Sequence, residues 1–245
     1  MIRVENLHKQ FGEVRAVDGV TFDAPDGHVT GLLGPNGAGK TTTLRMLYTL
    51  MRPDQGTITV DGIDAVADPH GARFALGVLP DQSGLYPRLT AREHIQYFGE
   101  LQGITGTDLR ERTDHLLKML DMTAIADRRV AGFSHGERTK TALARAIVHN
   151  PKNVLLDEPT NGLDVMSTRA VREIIRRLKG EGHAVLFSSH VMQEVSALCD
   201  TIVVIARGKI VAAGSPDDLR RQSGQENLED AFVALSGLEA EASPS

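Results

Sequence analysis

The sequence has few of the features that mark a secreted, membrane-embedded or nucleic-acid-binding protein. Its one cysteine, Cys199, cannot form an internal disulfide, and we expect it to be a small, buried apolar residue. The longest uninterrupted apolar runs, such as residues 202–206, span five residues, far fewer than the about 20 that a membrane-spanning helix needs. The 27 basic residues do not outnumber the 32 acidic ones, so the formal net charge of −5 offers no basic field for a nucleic acid.

An apolar targeting segment is also missing from the first residues, MIRVENLHKQFG. Together with the single cysteine, this predicts a protein of the reducing cytoplasm. The composition, 41% hydrophobic and 24% charged, is typical of a soluble globular protein. A chain of 245 residues exceeds the usual size of one domain, so we expect one domain with an added subdomain.

The periodicity of the apolar residues predicts an α/β fold. Short β-type runs open the chain, a mostly helical stretch lies between about residues 90 and 150, and strands and helices alternate after residue 151. Such alternation is typical of a mostly parallel sheet with helices on both faces, and we interpret the helical stretch as an insertion. The predicted strands are 2–7, 17–24, 29–33, 57–60, 77–79, 154–156, 184–188, 202–206 and 209–212, and the predicted helices are 40–51, 90–102, 107–121, 135–149, 165–179, 191–198 and 228–235.

The strand that is predicted to end near Leu33 is followed by GPNGAGKT, residues 34–41, and then by a helix. This is the phosphate-loop pattern G-x-x-x-x-G-K-[ST] between a strand and a helix, for which an ordinary glycine-rich turn is the alternative. Its glycines let the backbone curl until successive N–H groups face phosphate oxygens. Lys40 can then bridge the β- and γ-phosphates, and the Thr41 hydroxyl can bind Mg²⁺. The pattern predicts nucleotide binding.

Two adjacent acids, Asp157 and Glu158, end the buried run NVLLDEP. Neighbouring strand residues point to opposite faces, but Pro159 indicates that the strand ends here, so both carboxylates can serve one site. Asp157 can hold Mg²⁺ through its water shell, and Glu158 can orient or deprotonate an attacking water. A strand-terminal acidic turn is the alternative, but beside a phosphate loop the pair favours hydrolysis.

Two further motifs lie at helix starts. His190 closes the buried run AVLFSSH, and because ligands of doubly wound sheets bind at strand ends, it can donate to a γ-phosphate or to the attacking water. A satisfied structural histidine is the alternative. Ser134 and Glu137 form a capping box, whose helix start also leaves N–H groups and the positive end of a dipole for an anion.

In their order along the chain, these motifs resemble the ATP-binding cassette (ABC) family, the ATPase subunits of ABC transporters, from residue 2 to about residue 219. FSHGE, residues 133–137, aligns with the LSGGQ signature that separates this family from other phosphate-loop ATPases. The resemblance implies a P-loop NTPase core with an N-terminal antiparallel β subdomain and an inserted α-helical subdomain. It implies an ABC ATPase domain at 1–220, with the helical insertion at about 82–150, and a short tail at 221–245.

The resemblance also implies ATP and Mg²⁺ as cofactors and a role for each motif residue. Lys40, Glu158 and His190 correspond to catalytic residues, Glu158 being the catalytic glutamate and His190 the switch histidine. Phe11 corresponds to an aromatic that stacks on adenine, although in isolation it is more typical of a hairpin core. Nucleotide contacts are implied at Phe11, Gly34, Pro35, Asn36, Gly37, Ala38, Gly39, Lys40, Thr41, Thr42, Ser134, Gly136 and Asp164, and metal contacts at Thr41, Asp157, Asp81 and Gln82.

The resemblance further implies an assembly. Two copies, or a paired cassette, would pack head to tail, each supplying its phosphate loop to one ATP and its Ser134 and Gly136 to the other. ATP would close this dimer and hydrolysis would reopen it, driving integral-membrane permease subunits that dock near residues 82–100. The chain would then be a cytoplasmic protein held on the inner face of the plasma membrane by its permease, with no nucleic-acid partner.

Two positions depart from the family pattern. His135 replaces the first glycine of the signature, and we hypothesise that its charged form near a γ-phosphate would strengthen closure at mildly acidic pH. In LPDQSGL, residues 79–85, ungapped alignment puts Asp81 where the family has a glutamine that senses Mg²⁺ and the permease. Gln82 is adjacent, so either residue is a candidate for that role.

The stretch PDQSGLYPRLTAREHI, residues 80–95, resembles the sodium-extrusion (NatA-type) ATPases and their multidrug relatives in the ABC-2 exporter group. This favours export of sodium ions or drugs through a separate permease. One alternative is a soluble ABC ATPase acting on nucleic acid or ribosomes, but no tandem cassette, coiled-coil insertion or basic patch is visible. The other is a cassette that binds ATP as a switch or scaffold, against which the presence of Glu158 and His190 argues.

Overall fold

A computed structural model describes residues 1–82 and 84–237 of the chain. At its centre is a six-stranded sheet whose strands pair in parallel, except for one edge strand that joins antiparallel. In spatial order from that edge, the strands are β10 (Lys209–Gly214), β9 (Thr201–Ala206), β3 (Val29–Leu33), β8 (Ala184–Ser189), β7 (Asn153–Asp157) and β6 (Leu76–Leu79).

A second, antiparallel sheet is built from the N-terminal part of the chain. In spatial order its strands are β2 (Val14–Ala24), β1 (Ile2–Phe11), β4 (Gln55–Val60) and β5 (Ile63–Asp64). The helices are α1 (Lys40–Leu47), α2 (Pro69–Phe74), α3 (Ala91–Leu101), α4 (Gly106–Met119), α5 (His135–Ile147), α6 (Val165–Gly180), α7 (Met192–Leu198), α8 (Pro216–Ser223) and α9 (Leu228–Ser236).

The inner strands β3, β7 and β8 of the central sheet are buried at every position rather than at alternate ones, because both faces of the sheet are covered. In β7, Val154 and Leu156 face one side and Leu155 the other, since successive side chains alternate. The first face packs against apolar residues of α3 to α9, and the second against α1 and the antiparallel sheet. The predicted fold class is therefore confirmed, with α3, α4 and α5 lying between β6 and β7.

Helix ends and short helices are where the structure departs from the expected pattern. The helix predicted at 40–51 ends at Leu47, because Thr49 adopts a left-handed φ of 61° that no helix continues through. The six-residue α2 is too short to show a helical period, and its N-cap is Asp68, whose side chain accepts from the N–H of Gly71. Helix α8 was also not predicted, because its residues are mostly polar; it begins after Ser215, which forms a capping box with Asp218.

The C-terminal residues pack onto the sheet as far as the structure describes them. Helix α9 closely matches the predicted helix at 228–235, and Leu228 and Ala231 are buried in the same core as the central sheet. Residues 238–245 of the predicted tail lie outside the described residues. Cys199 is buried as expected, and burial raises the pKa of its thiol. Among residues 1–82 and 84–237, no helix is both long and apolar enough to cross a membrane.

Candidate functional site

The predicted phosphate loop connects the buried strand β3 to α1, and two of its glycines are required by close backbone approaches. A Cβ on Gly34 would lie 2.2 Å from the carbonyl oxygen of Ile205, and one on Gly39 would lie 2.3 Å from that of Ala16. Gly39 is also the N-cap of α1 and has a φ of +106°, which glycine adopts without strain. The phosphate loop therefore packs directly against the backbone at Ala16 and Ile205, and these contacts hold its conformation without a ligand.

Lys40 points back over this loop rather than into solvent. Its Nζ donates to the carbonyl oxygens of Gly34 at 2.7 Å and Pro35 at 3.2 Å, and its side chain is only 5% exposed. The same Nζ lies 3.6 Å from Glu158 Oε1. The ammonium thus lies between the loop that would hold phosphates and the acid that would act on water.

Asp157 ends β7 with one carboxylate oxygen bonded and the other without a partner. Its Oδ1 accepts from Ser188 Oγ at 2.6 Å and from Thr41 Oγ1 at 3.3 Å, whereas Oδ2 is buried with no hydrogen-bond partner. Burial raises the pKa of this carboxyl, and the charges of Asp81 and Glu158 raise it further against the two hydrogen bonds. A buried carboxylate with a free oxygen beside a hydroxyl is a set of oxygen donors that suits a hard cation.

Glu158 follows directly and leaves the strand through a strained backbone. Its backbone φ is +50°, in the left-handed region that residues other than glycine rarely adopt. Its N–H donates to Ser188 Oγ at 3.0 Å. Its Oε2 lies 2.9 Å from His190 Nδ1, so Nδ1 must carry the proton that the carboxylate accepts. The pair forms because β7 and β8 are parallel neighbours, with Asp157 in register with Ser188.

Lys40, Glu158 and His190 border one cavity of about 420 Å³, and Asp157 lines a smaller one of about 80 Å³ beside Glu158. Most of the predicted loop, acid and histidine residues line the larger cavity: Asn36, Gly37, Ala38, Gly39, Lys40, Thr41, Thr42, Asp81, Glu158 and His190. Ala16 and Asn161 also line it, and neither is among the nucleotide, metal or catalytic contacts that the resemblance implies; the resemblance places Asn161 only in the loop, residues 161–164, that crosses to a partner subunit. Ser188 was missed as well, although its place at a strand end two residues before His190 was a usable signal.

Eight other predicted residues do not line the larger cavity, namely Phe11, Gly34, Pro35, Gln82, Ser134, Gly136, Asp157 and Asp164. Phe11 ends β1 with 47% of its surface exposed, and Lys9 Nζ lies 5.7 Å from the centre of its ring. Asp81 and Gln82 are both exposed, but of the two it is Asp81 that lines this cavity and the smaller one of about 80 Å³. Of the two candidates near the cation donors, only Asp81 faces them.

The predicted capping box at the start of α5 is present. Ser134 Oγ accepts from the N–H of Glu137 at 3.2 Å, and Glu137 Oε2 accepts from the N–H of Ser134 at 2.7 Å. Gly136 has no room for a side chain, because a Cβ there would lie 2.2 Å from Ser167 Oγ. Asp164 caps α6, and the backbone N–H and hydroxyl of Ser167 lower the pKa of its carboxyl.

The chain is similar to curated bacterial proteins over nearly its whole length. It is 43% identical over 239 residues to the ABC transporter ATP-binding protein NatA of Bacillus subtilis, covering 96% of this chain and 97% of the relative. It is 36% identical over 228 residues to the daunorubicin resistance ATP-binding protein DrrA3 of Streptomyces coeruleorubidus, covering 93% of this chain and 72% of the relative.

Solved structures give the same result. An ATP-binding subunit of an ABC transporter superposes with a TM-score of 0.89 at 29% identity, over 96% of this chain and 99% of the other. The dimeric cassette MJ0796, described as a bacterial ABC transporter cassette, superposes with a TM-score of 0.80 at 25% identity, over 88% of this chain and 98% of the other. The family model for ABC transporters matches residues 17–161, which include the phosphate loop, the signature and both acids. The chain therefore belongs to the ABC transporter family, as an ATP-binding subunit and ATPase.

Proposed function

We propose that this chain powers export through a separate membrane permease, and that two copies close head to tail around ATP and Mg²⁺. The proposal rests on one observation: within one chain, the predicted site residues fall into two separate groups. Lys40, Glu158 and His190 border one cavity, while Ser134 and Gly136, at the start of α5, lie outside it. A second copy would bring that helix start onto the phosphates, and the dimeric structure of the similar cassette MJ0796 supports such a pairing.

ATP would bind by exchanging contacts that the chain now makes with itself. The loop N–H groups and the start of α1 would face the phosphates, and Lys40 Nζ would leave the carbonyls of Gly34 and Pro35 to contact the β- and γ-phosphates. Phe11, which is half exposed at the end of β1, would stack on the adenine. Asp164 is proposed to reach the partner's nucleotide from the start of α6.

Mg²⁺ fits the donors at the end of β7. Asp157 Oδ2 is buried without a partner, Thr41 Oγ1 donates to the other oxygen of the same carboxylate, and Asp81 and Asp157 both line the smaller cavity of about 80 Å³. Within the described part of the chain, no group of three or more His, Cys, Asp or Glu side chains could hold a metal, so phosphate oxygens would complete the shell. When bound, the ion would neutralise charge on the phosphates, and it would relieve the unfavourable burial of the Asp157 carboxylate.

Hydrolysis is assigned to the pair formed by Glu158 and His190. The carboxylate of Glu158 would orient the attacking water and accept its proton, and the Nδ1–H of His190 holds that carboxylate at 2.9 Å. Lys40 lies 3.6 Å from the other oxygen of Glu158, so its move to the phosphates would also release the acid to contact water.

Sodium ions or drugs are the proposed cargo, recognised by the permease. DrrA3 is named for daunorubicin resistance, which supports a drug. Exposed apolar side chains near α3, namely Tyr86, Tyr97 and Leu101, support docking of the permease on the helical insertion at about 82–150. This contact would hold the ABC ATPase domain, residues 1–220, peripherally on the inner face of the plasma membrane.

The test compares the parent chain with Glu158→Gln in excess ATP and Mg²⁺. Loss of the base is expected to lower turnover about 10²- to 10⁴-fold, and the unhydrolysed ATP should hold a dimer of twice the 26.5 kDa of one chain. Glu173→Gln is the matched control, because Glu173 is 76% exposed and its ion pair is with Arg176 on the same helix.

Unchanged turnover in Glu158→Gln, or no dimer in either protein, would contradict the proposal. Co-purification from cells then identifies the partner. A polytopic membrane protein is expected, whereas recovery of RNA or of a cytosolic complex would instead support a soluble ABC ATPase.

A further inference from the structure

His135 connects the start of α5 to the loop that follows Glu158. Its Nε2 lies 3.0 Å from the carbonyl oxygen of Asn161 in the same chain, and its ring passes against Gly162, where a Cβ would lie 3.6 Å from Nε2. A carbonyl oxygen can only accept, so Nε2 carries the proton and donates it. The ring therefore contacts this chain's own loop, at the signature position where the family pattern has glycine.

The loop that His135 contacts, residues 159–164, belongs to the catalytic site at one end and to α6 at the other. The N–H of Asn161 donates to the carbonyl of Glu158 at 3.1 Å, and Asn161 lines the cavity that Lys40 and Glu158 border. At its other end, Asp164 caps α6 through Ser167. A shift of the Asn161 carbonyl would thus be transmitted directly to the backbone of the catalytic acid.

A second contact binds the same helix start to the far end of the loop. Gly136 packs so closely on Ser167 that a Cβ would lie 2.2 Å from its Oγ, and Ser167 Oγ donates to Asp164 Oδ2 at 2.9 Å. The first turn of α5 therefore holds the loop at Asn161 through His135 and at Asp164 through Ser167. Packed groups joined at two points shift together rather than separately.

We infer that His135 is a positioning residue that couples the two ATP sites of the dimer. In the head-to-tail dimer, on which this inference rests, the start of α5 contacts the nucleotide of the partner, whereas the loop follows Glu158 of the chain's own site. Because His135 is hydrogen-bonded to Asn161, an ATP-induced movement of the start of α5 also moves the loop at residues 159–164, and the reverse holds as well. Both the neutral Nε2–H tautomer and the imidazolium can donate this bond, so it does not require acid.

The test separates the hydrogen bond from the shape of the side chain. His135→Gln keeps an N–H donor at a similar reach, and His135→Met has a similar length without a donor. Hydrogen exchange of the nucleotide-free chain reports the loop itself. Amides of residues 161 and 163 are expected to exchange about threefold to tenfold faster in His135→Met than in the parent, and at the parent rate in His135→Gln, because one neutral hydrogen bond is lost in the first variant only.

Coupling is measured as the Hill coefficient of ATP hydrolysis. It is expected to fall towards 1 in His135→Met and to stay at the parent value in His135→Gln, while the ATP-held dimer of Glu158→Gln forms with either substitution added. Equal exchange in the two variants overturns the positioning role, and faster exchange with an unchanged Hill coefficient overturns the coupling. Absence of the Glu158→Gln dimer with His135 intact overturns the proposed function itself, and the coupling with it.

Discussion

Replacing Ser188 by alanine is expected to destabilise the nucleotide-free chain by about 2–4 kcal/mol. The hydroxyl is fully buried, donates to Asp157 Oδ1 over 2.6 Å and accepts from the N–H of Glu158 over 3.0 Å. A hydrogen bond to an ionised group contributes about 1.5–3 kcal/mol and one between neutral groups about 0.5–1.5 kcal/mol. Alanine removes both bonds and leaves the N–H of Glu158 without this acceptor.

The neighbouring Ser189→Ala provides the matched control. Ser189 is equally buried on the same strand, but its hydroxyl accepts one bond, from the N–H of Val191 at 3.0 Å. Its loss should cost about 0.5–1.5 kcal/mol. Free energies of unfolding from urea titration measure both variants, and a difference of about 2 kcal/mol corresponds to about 4–8 °C in Tm for a chain of this size. Equal losses in the two variants would refute the role given to the bonds of Ser188.

The pH dependence of the Ser188→Ala effect checks the charge on its acceptor. Burial raises the pKa of Asp157, and the hydrogen bond from Ser188 opposes that effect by favouring the ionised form. The variant therefore has a still higher Asp157 pKa, and its deficit in unfolding free energy should shrink as the pH falls through the raised pKa. A deficit that stays constant from neutral to acid pH would show that the carboxyl is not ionised in the folded chain at neutral pH.

Two further substitutions test the loop and the buried charge. Gly34→Ala is expected to cost about 1–3 kcal/mol and to abolish ATP binding in calorimetry, because its Cβ would lie 2.2 Å from a backbone carbonyl, whereas Gly180→Ala, with open space around it, should change neither. Asp157→Asn is expected to raise the unfolding free energy at pH 7 by about 0.5–2 kcal/mol while removing hydrolysis. The reason is the raised pKa of Asp157: the ionised carboxylate lowers the stability of the folded chain, and this loss is recovered as the pH falls. A lower unfolding free energy of Asp157→Asn at pH 7 in urea titration would contradict this.

The sequence predicts the residues of the site better than their contacts. The phosphate loop and the acids of β7 are local patterns, since the chemistry that they serve fixes both residue type and spacing. Their meeting with His190 also follows from sequence, because the carboxyl ends of parallel strands share one edge of the sheet. The central sheet brings these ends together, as Asp157 pairs in register with Ser188.

Contacts that depend on register or on the approach of distant backbones were not predictable. Ser188 is one of two adjacent serines, and only the exact pairing of β8 with β7 decides which of them contacts Asp157. The direction of the His135 ring depends on how α5 lies against residues 159–164. Helices α2 and α8 were missed because each buries a single side chain, Ala72 or Leu219, so that no repeat of apolar residues marks the helix.

Together these contacts explain why nucleotide binding must be an exchange rather than an addition. Lys40 is held by two carbonyls, Glu158 by His190, and one oxygen of Asp157 by two hydroxyls, so most charges of the site already have partners. Asp157 Oδ2 alone among the described oxygens of the two acids is buried without one. The free energy gained from ATP is therefore the difference between its contacts and those that it displaces, whereas a cation at Oδ2 displaces none. On this argument, Mg²⁺ should contribute more to the stability of the bound state than the count of its protein ligands suggests.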